Sequence, residues 1–312
     1  MVRSNVYLII ILFVVTSLTS NAQWQKCRGK HVDLTVYDFI HINNDLLGCT
    51  PKGIIISKDY INWNELIEFK FPITNLYYFE NILFGTFGYN ALHIVYSTDN
   101  YKTWQALNTD TLRNFTTNLF SLLYDRGNIF VATGKGIFKT SDWGKKWVLL
   151  SSKITGNNTI HSKIVKKGNI YFASDKKKDL YISKDFGETW EVLENGNINS
   201  GTIILKNGHL YGFKDDKFIY RLNTGNKWES YIDKEFGYIS SISSLCCNGL
   251  FISSNKNYIS FGNNTLITLP KIPMDKEYDL CQASIVSDKY IVVSIIDRGI
   301  WFIPYKLSIA YE

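Results

Sequence analysis

Four short stretches of this 312-residue chain share one pattern and fall at nearly equal intervals. They are Ser57–Trp63, Ser97–Trp104, Thr140–Trp147 and Ser183–Trp190, and their aspartates Asp59, Asp99, Asp142 and Asp185 lie 40, 43 and 43 residues apart. A period of this size marks a repeat architecture, in which each unit is one supersecondary element that buries its apolar faces against its neighbours.

The strand entering each pattern extends the repeat in both directions, from Ile56 to Phe302 at a mean of about 41 residues. A fifth, worn copy runs from Arg221 to Trp228 with Asn223 in place of Asp, and the sixth and seventh units have largely lost the pattern. Each unit also has an upstream hairpin turn, such as Arg126-Gly127-Asn128, Lys167-Gly168-Asn169 and Asn207-Gly208, between short β-rich runs. No sustained 3.6-residue apolar period occurs, so helix should be nearly absent. Seven units of four antiparallel strands predict an all-β, seven-bladed β-propeller filling residues 23–312 as one domain. Either Val32–Val36 or Leu307–Tyr311 should supply the outer strand of the last blade.

The copy Ser183-Lys184-Asp185-Phe186-Gly187-Glu188-Thr189-Trp190 is a full S-x-D-x-G-x-T-W. It resembles the Asp-box (BNR) repeat of sialidases, sortilin-type receptors and photosystem II assembly-factor propellers. In such a box the Ser or Thr and the Asp accept bonds from turn backbone N–H groups. The tryptophans Trp63, Trp104, Trp147, Trp190 and Trp228 cover apolar area between blades. The boxes are therefore structural turns. No metal site is expected, because the bidentate Glu of a calcium loop is missing, and no cofactor is expected.

In the families resembled, the working surface lies opposite the boxes. There the resemblance and the loop positions together suggest a cationic mouth of Lys135, Lys176, Lys177, Lys178, Lys217, Lys256 and Arg298, with Tyr89 and His93 adding stacking contacts. A sialidase would need three arginines clamping a carboxylate, and the five after residue 22 do not supply them, since Lys lacks the planar fork. A glycan-acting hydrolase or lyase needs only a carboxylate pair, for which Asp175, Asp215, Asp216, Asp275, Glu277, Asp279 and Asp297 are candidates. The first reading is a non-enzymatic, monomeric binder of a protein, peptide or anionic glycan. The formal net charge of +6 is mild, and without a concentrated basic stripe nucleic acid is not an expected partner.

At the N-terminus, Arg3, the apolar run Val6–Val15 and Ser20-Asn21-Ala22 read as a signal peptide cleaved after residue 22. The run is too short to span a bilayer, which takes about 20 apolar residues. The expected location is secreted or periplasmic. Such a compartment permits disulfides, and of Cys27, Cys49, Cys246, Cys247 and Cys281 the expected pair is Cys49 with Cys281, with Cys246 and Cys247 in the core of a first strand.

Overall fold

The computed structural model describes residues 23–87, 92–116, 118–155, 163–175, 179–193, 199–206, 208–214, 217–231, 241–244, 249–253, 257–261, 265–270, 281–287 and 289–304. Their strands form seven sheets, with inner strands Asp38–Ile42, Asn75–Phe79, Leu119–Asp125, Lys163–Lys167, Asn199–Lys206, Ser241–Ser244 and Cys281–Val286. Inner strands of sheets one to five pack side by side in chain order, and the inner strand of sheet seven packs on those of sheets six and one. They form the inner wall of a β-propeller.

Why the second strands are continuously apolar follows from this packing. Successive side chains of a strand point to opposite faces, and here each face meets a different neighbouring sheet. Leu46 and Ile55 join a core with Val292 and Ile300 of sheet seven, while the adjacent Leu47 and Ile54 join Ile73, Leu83 and Val95 of sheet two. Likewise Val131 faces Phe84 and Ile94, whereas Phe130 faces Ile164 and Tyr171. Each such buried side chain contributes about 1.5–3 kcal/mol.

Six of the sheets have four strands and are antiparallel throughout. The expectation of seven such blades is corrected at sheet one, where a fifth strand, Arg28–Gly29, pairs parallel to Asn62–Glu68. Arg28 N donates to Ile61 O and Lys30 N to Trp63 O, at 2.9 and 3.0 Å. Only glycine fits between them: Gly29 has φ +116°, and an added Cβ would sit 2.0 Å from Trp63 O.

The outer strand of sheet seven is also corrected. It is Gln25–Lys26, paired antiparallel with Phe302 and Trp301, and not Val32–Val36. Leu307–Tyr311 lies outside the described residues. The stretch Val32–Val36 instead threads along the last sheet: Ile300 N donates to Val32 O, Asp297 N to Thr35 Oγ1, and Val36 N to Ser294 Oγ. The chain's two ends are thereby clasped.

The one helix among the described residues is the single turn Asp110–Arg113, and no helix there is long and apolar enough to cross a membrane. Cys49 and Cys281 are not joined by a disulfide, and both are buried. The Cys49 thiol donates to Asp38 O at 3.5 Å and that of Cys281 to Ala283 O at 3.1 Å, so each is satisfied within its own sheet. Cys246 and Cys247 lie outside the described residues.

Candidate functional site: two faces and an axis

Antiparallel strands put the hairpin turns and the Ser-x-Asp turns at one end of the ring, which the side chains confirm. Tyr101 of the second Ser-x-Asp turn donates to Asp45 in the hairpin turn of sheet one, and the Arg126 guanidinium lies 4.7 Å over the Phe186 ring. The aspartates there are consumed by their own turns. Asp99 accepts from Thr103 N at 2.9 Å and from the Thr103 and Ser97 hydroxyls, and Asp185 does the same with Thr189 and Ser183. Those hydroxyl and backbone donors hold both carboxyls down to about 2. Asp59 and Asp142 accept from Asn62 N and Lys146 N, at 2.7 and 3.0 Å. Gly144 completes its turn at φ +85°, where a Cβ would meet Asn108 O at 2.0 Å.

Trp104 and Trp190 donate back into their own turns, to Tyr101 O and Gly187 O, while Trp147 donates to Asn108 O. Trp63 is the most buried of these, and its indole N–H, beside the Cys27 sulfur, makes no hydrogen bond of good geometry. Burial pushes the Cys27 thiol up to about 12. Trp228 packs against the core between sheets four and five.

At the opposite end, the structure places Lys135, Lys217, Arg298 and His93 at turns or strand ends of four different sheets. Lys176, Lys177, Lys178, Lys256 and Tyr89 lie outside the described residues. Lys135 sits in a braced turn: its N–H donates to Thr133 Oγ1, which donates to Gly136 O. Lys52 occupies the same position between Thr50 and Gly53, an equivalence that the shared Thr-x-Lys-Gly spelling could have revealed.

His93 stands in an aromatic stack. Its ring lies 4.2 Å from that of Phe71, at an interplanar angle of 8°, and Phe87 flanks it at 6.4 Å. Arg113 Nη2 approaches His93 Nδ1 at 3.5 Å while donating to Leu92 O at 2.9 Å. Burial first, and the Arg113 charge second, lower the His93 pKa, so the stack holds a neutral imidazole. Among the candidate catalytic carboxylates, Asp175 is buried and committed, accepting from Asp179 N at 3.0 Å and from the Tyr181 hydroxyl at 3.2 Å. Asp297 is an exposed turn residue, and the other five lie outside the described residues.

Sequence reading missed the axis. A cavity of about 530 Å³ is bounded by the inner strands of sheets two to five, and Tyr77, Ser121, Lys163 and Lys206 line it. Asp38, in the inner strand of sheet one, acts on the same groups: its charge raises the pKa of both lysines, against a larger lowering by burial. Burial also pushes the Asp38 carboxyl and the Tyr77 phenol up. Asp38 Oδ2 accepts from Leu76 N at 3.0 Å, but among the described residues neither lysine ammonium has an ion-pair partner. The buried Thr86 hydroxyl, near the Tyr77 phenol but outside hydrogen-bond geometry, has no partner. Nearer the hairpin-turn end, Asp125 is nearly buried and holds both Lys166 and the Tyr171 hydroxyl. One signal was readable: Asp38, Tyr77, Ser121, Lys163 and Lys206 recur every 39–44 residues, close to the repeat itself.

The sequence matches no protein-family model and no curated protein. Solved structures are similar in fold. Virginiamycin B lyase from Staphylococcus aureus is 14% identical with a TM-score of 0.68, over 92% of this chain and 99% of the lyase. YCF48 from Cyanidioschyzon merolae is 12% identical with a TM-score of 0.64, over 91% and 98%. The extracellular domain of the putative one component system BT4673 from B. thetaiotaomicron is 11% identical with a TM-score of 0.67. The match covers 90% of this chain but only 39% of that one. At such identities the likeness establishes one thing, that this chain folds as a β-propeller.

Proposed function

We propose that this chain is an exported, non-enzymatic binding propeller whose loop face, opposite the Ser-x-Asp turns, engages a protein, peptide or anionic glycan. The observation that carries the reading is the stack of Phe71, His93 and Phe87 beside the Arg113 guanidinium. Stacked, half-buried rings offer a flat apolar face at low entropic cost, and an adjacent cation adds charge selectivity. Those two features together favour an acidic glycan among the three. Lys135, Lys217 and Arg298 add positive charge at the same end. The Asp-box resemblance supports the choice of face, because the boxes spend their polar groups on the turns. Of the carboxylates that a hydrolase could use, Asp175 is already committed to its own turn.

A glycan array probed with the purified chain tests this, comparing uronic or sulfated glycans with neutral ones. Binding to acidic glycans should weaken as salt rises, since exposed charges are screened within about 10 Å at 0.1 M. Phe71→Ala should weaken it by roughly tenfold, as truncating an aromatic anchor does. Equal binding of neutral and acidic glycans, or full binding by Phe71→Ala, would place the working surface elsewhere.

A further inference from the structure

We propose that the axial cavity is a receptor for a small organic acid: one carboxylate on an apolar body. This does not rest on the loop-face reading. The volume, about 530 Å³, falls in the range of small-molecule sites. Its polar groups converge from different sheets: Lys163 from sheet four, Lys206 from sheet five and the Tyr77 phenol from sheet two. Ser121, Glu80, Asp125 and Lys166 also line it, and much of the rest of the wall is apolar, including Phe79, Leu123 and Ile203.

Charge selects the ligand's sign. Lys166 lines the cavity but is paired with Asp125, and Glu80 is exposed at the rim, accepting from Arg126 N at 3.3 Å. Among the described residues that leaves Lys163 and Lys206 lining the cavity, with Asp38 the one carboxylate whose charge acts on both. A buried charge without a partner is costly, and a single incoming carboxylate supplies the missing counter-charge. Burial keeps the Tyr77 phenol protonated, so it can donate to that carboxylate. A cationic ligand would meet two ammonium groups. A bare multivalent anion would exceed the one surplus charge and leave the apolar wall unused.

The test is calorimetric titration of the full mature chain with 4-phenylbutyrate, 4-phenylbutyramide and inorganic phosphate. The acid should bind saturably at one site, and the amide at least about tenfold more weakly, as should Lys163→Met and Lys206→Met with the acid, since a desolvated charge pair is lost. If either variant fails to fold, the unaltered chain with ¹³C-dimethylated lysines decides, because two buried lysine signals must shift with the acid and not with the amide. No saturable binding of the acid, equal binding of acid and amide, unshifted lysine signals, or phosphate alone binding would each overturn the proposal. Phe71→Ala should leave the acid's affinity unchanged, so failure here and failure of the loop-face reading are distinguishable.

Discussion

Asp185 and Asp38 are both half-buried carboxylates in this ring, and their surroundings act on them in opposite directions. Asp185 accepts from Thr189 N, the Thr189 hydroxyl and the Ser183 hydroxyl, and is held down to about 2. Asp38 has the Leu76 N–H, sits where desolvation dominates, and is pushed up. One region surrounds its carboxylate with local donors. The other gathers charge in a low-dielectric space and leaves part of it uncompensated. The first is what a repeat needs to make a turn; the second is what a ligand needs to find a site.

Asp125 should give the largest effect, because it stands between the two regions. It is nearly buried and holds both Lys166 and Tyr171. Asp125→Ala strands a cation and a phenol, and should cost about 3–5 kcal/mol in chemical denaturation, as breaking a buried pair does. A loss below about 1 kcal/mol would mean the contact behaves like an exposed ion pair.

Asp185→Ala comes next, at about 0.5–2 kcal/mol by analogy with the loss of a helix-capping side chain. Since the folded pKa of Asp185 is depressed, its stabilisation is present above the unfolded value of 3.8 and is lost as pH falls toward about 2. The variant's deficit should therefore shrink in acid melts. Glycan binding should not change.

Lys163→Met should have the opposite sign. Removing a half-buried ammonium that has no ion-pair partner among the described residues, in favour of a chain of similar length, should raise stability by about 1 kcal/mol while weakening the organic acid, a site's usual trade of stability for function. Because burial lowers the Lys163 pKa, the folded state loses stability as pH falls through that depressed value. The gain on mutation should be smaller at alkaline pH. A destabilised Lys163→Met would remove the contrast with the turn region.

This division also explains what could be read in the sequence. The Ser-x-Asp turns were legible because each is a local device: the side chains that brace it lie within a few residues of the N–H groups they serve. The strands were legible because burial on both faces leaves continuous apolar runs such as Ile129–Ala132. The axial groups are non-local. Lys163 opens its strand as Lys30 opens an exposed turn, and only the ring brings it toward Asp38, over a hundred residues away. The clasp failed for a related reason: two residues, Gln25 and Lys26, are too short a strand to show any alternation. The cysteine pairing presumed that neighbouring strands bring thiols together, whereas Cys49 and Cys281 each bond within their own sheet.

The smallest effect concerns the fifth turn, where the sequence suggests decay. Asn223 Oδ1 accepts from Lys227 N at 2.9 Å, the bond an aspartate makes in the intact turns. Its amide then does something an aspartate cannot, donating to Glu229 Oε1 at 2.7 Å. Asn223→Asp would restore the consensus spelling yet replace that bond with two facing carboxylates. It should lower stability by about 0.5 kcal/mol, within the range of exposed charge contacts, and the loss should shrink at high salt. Adding Glu229→Gln should recover it, since a side-chain amide at that position could donate where the carboxylate repels. If Asn223→Asp alone raises the melting temperature, the fifth turn is a degraded copy of the others after all, and the Glu229 contact contributes nothing.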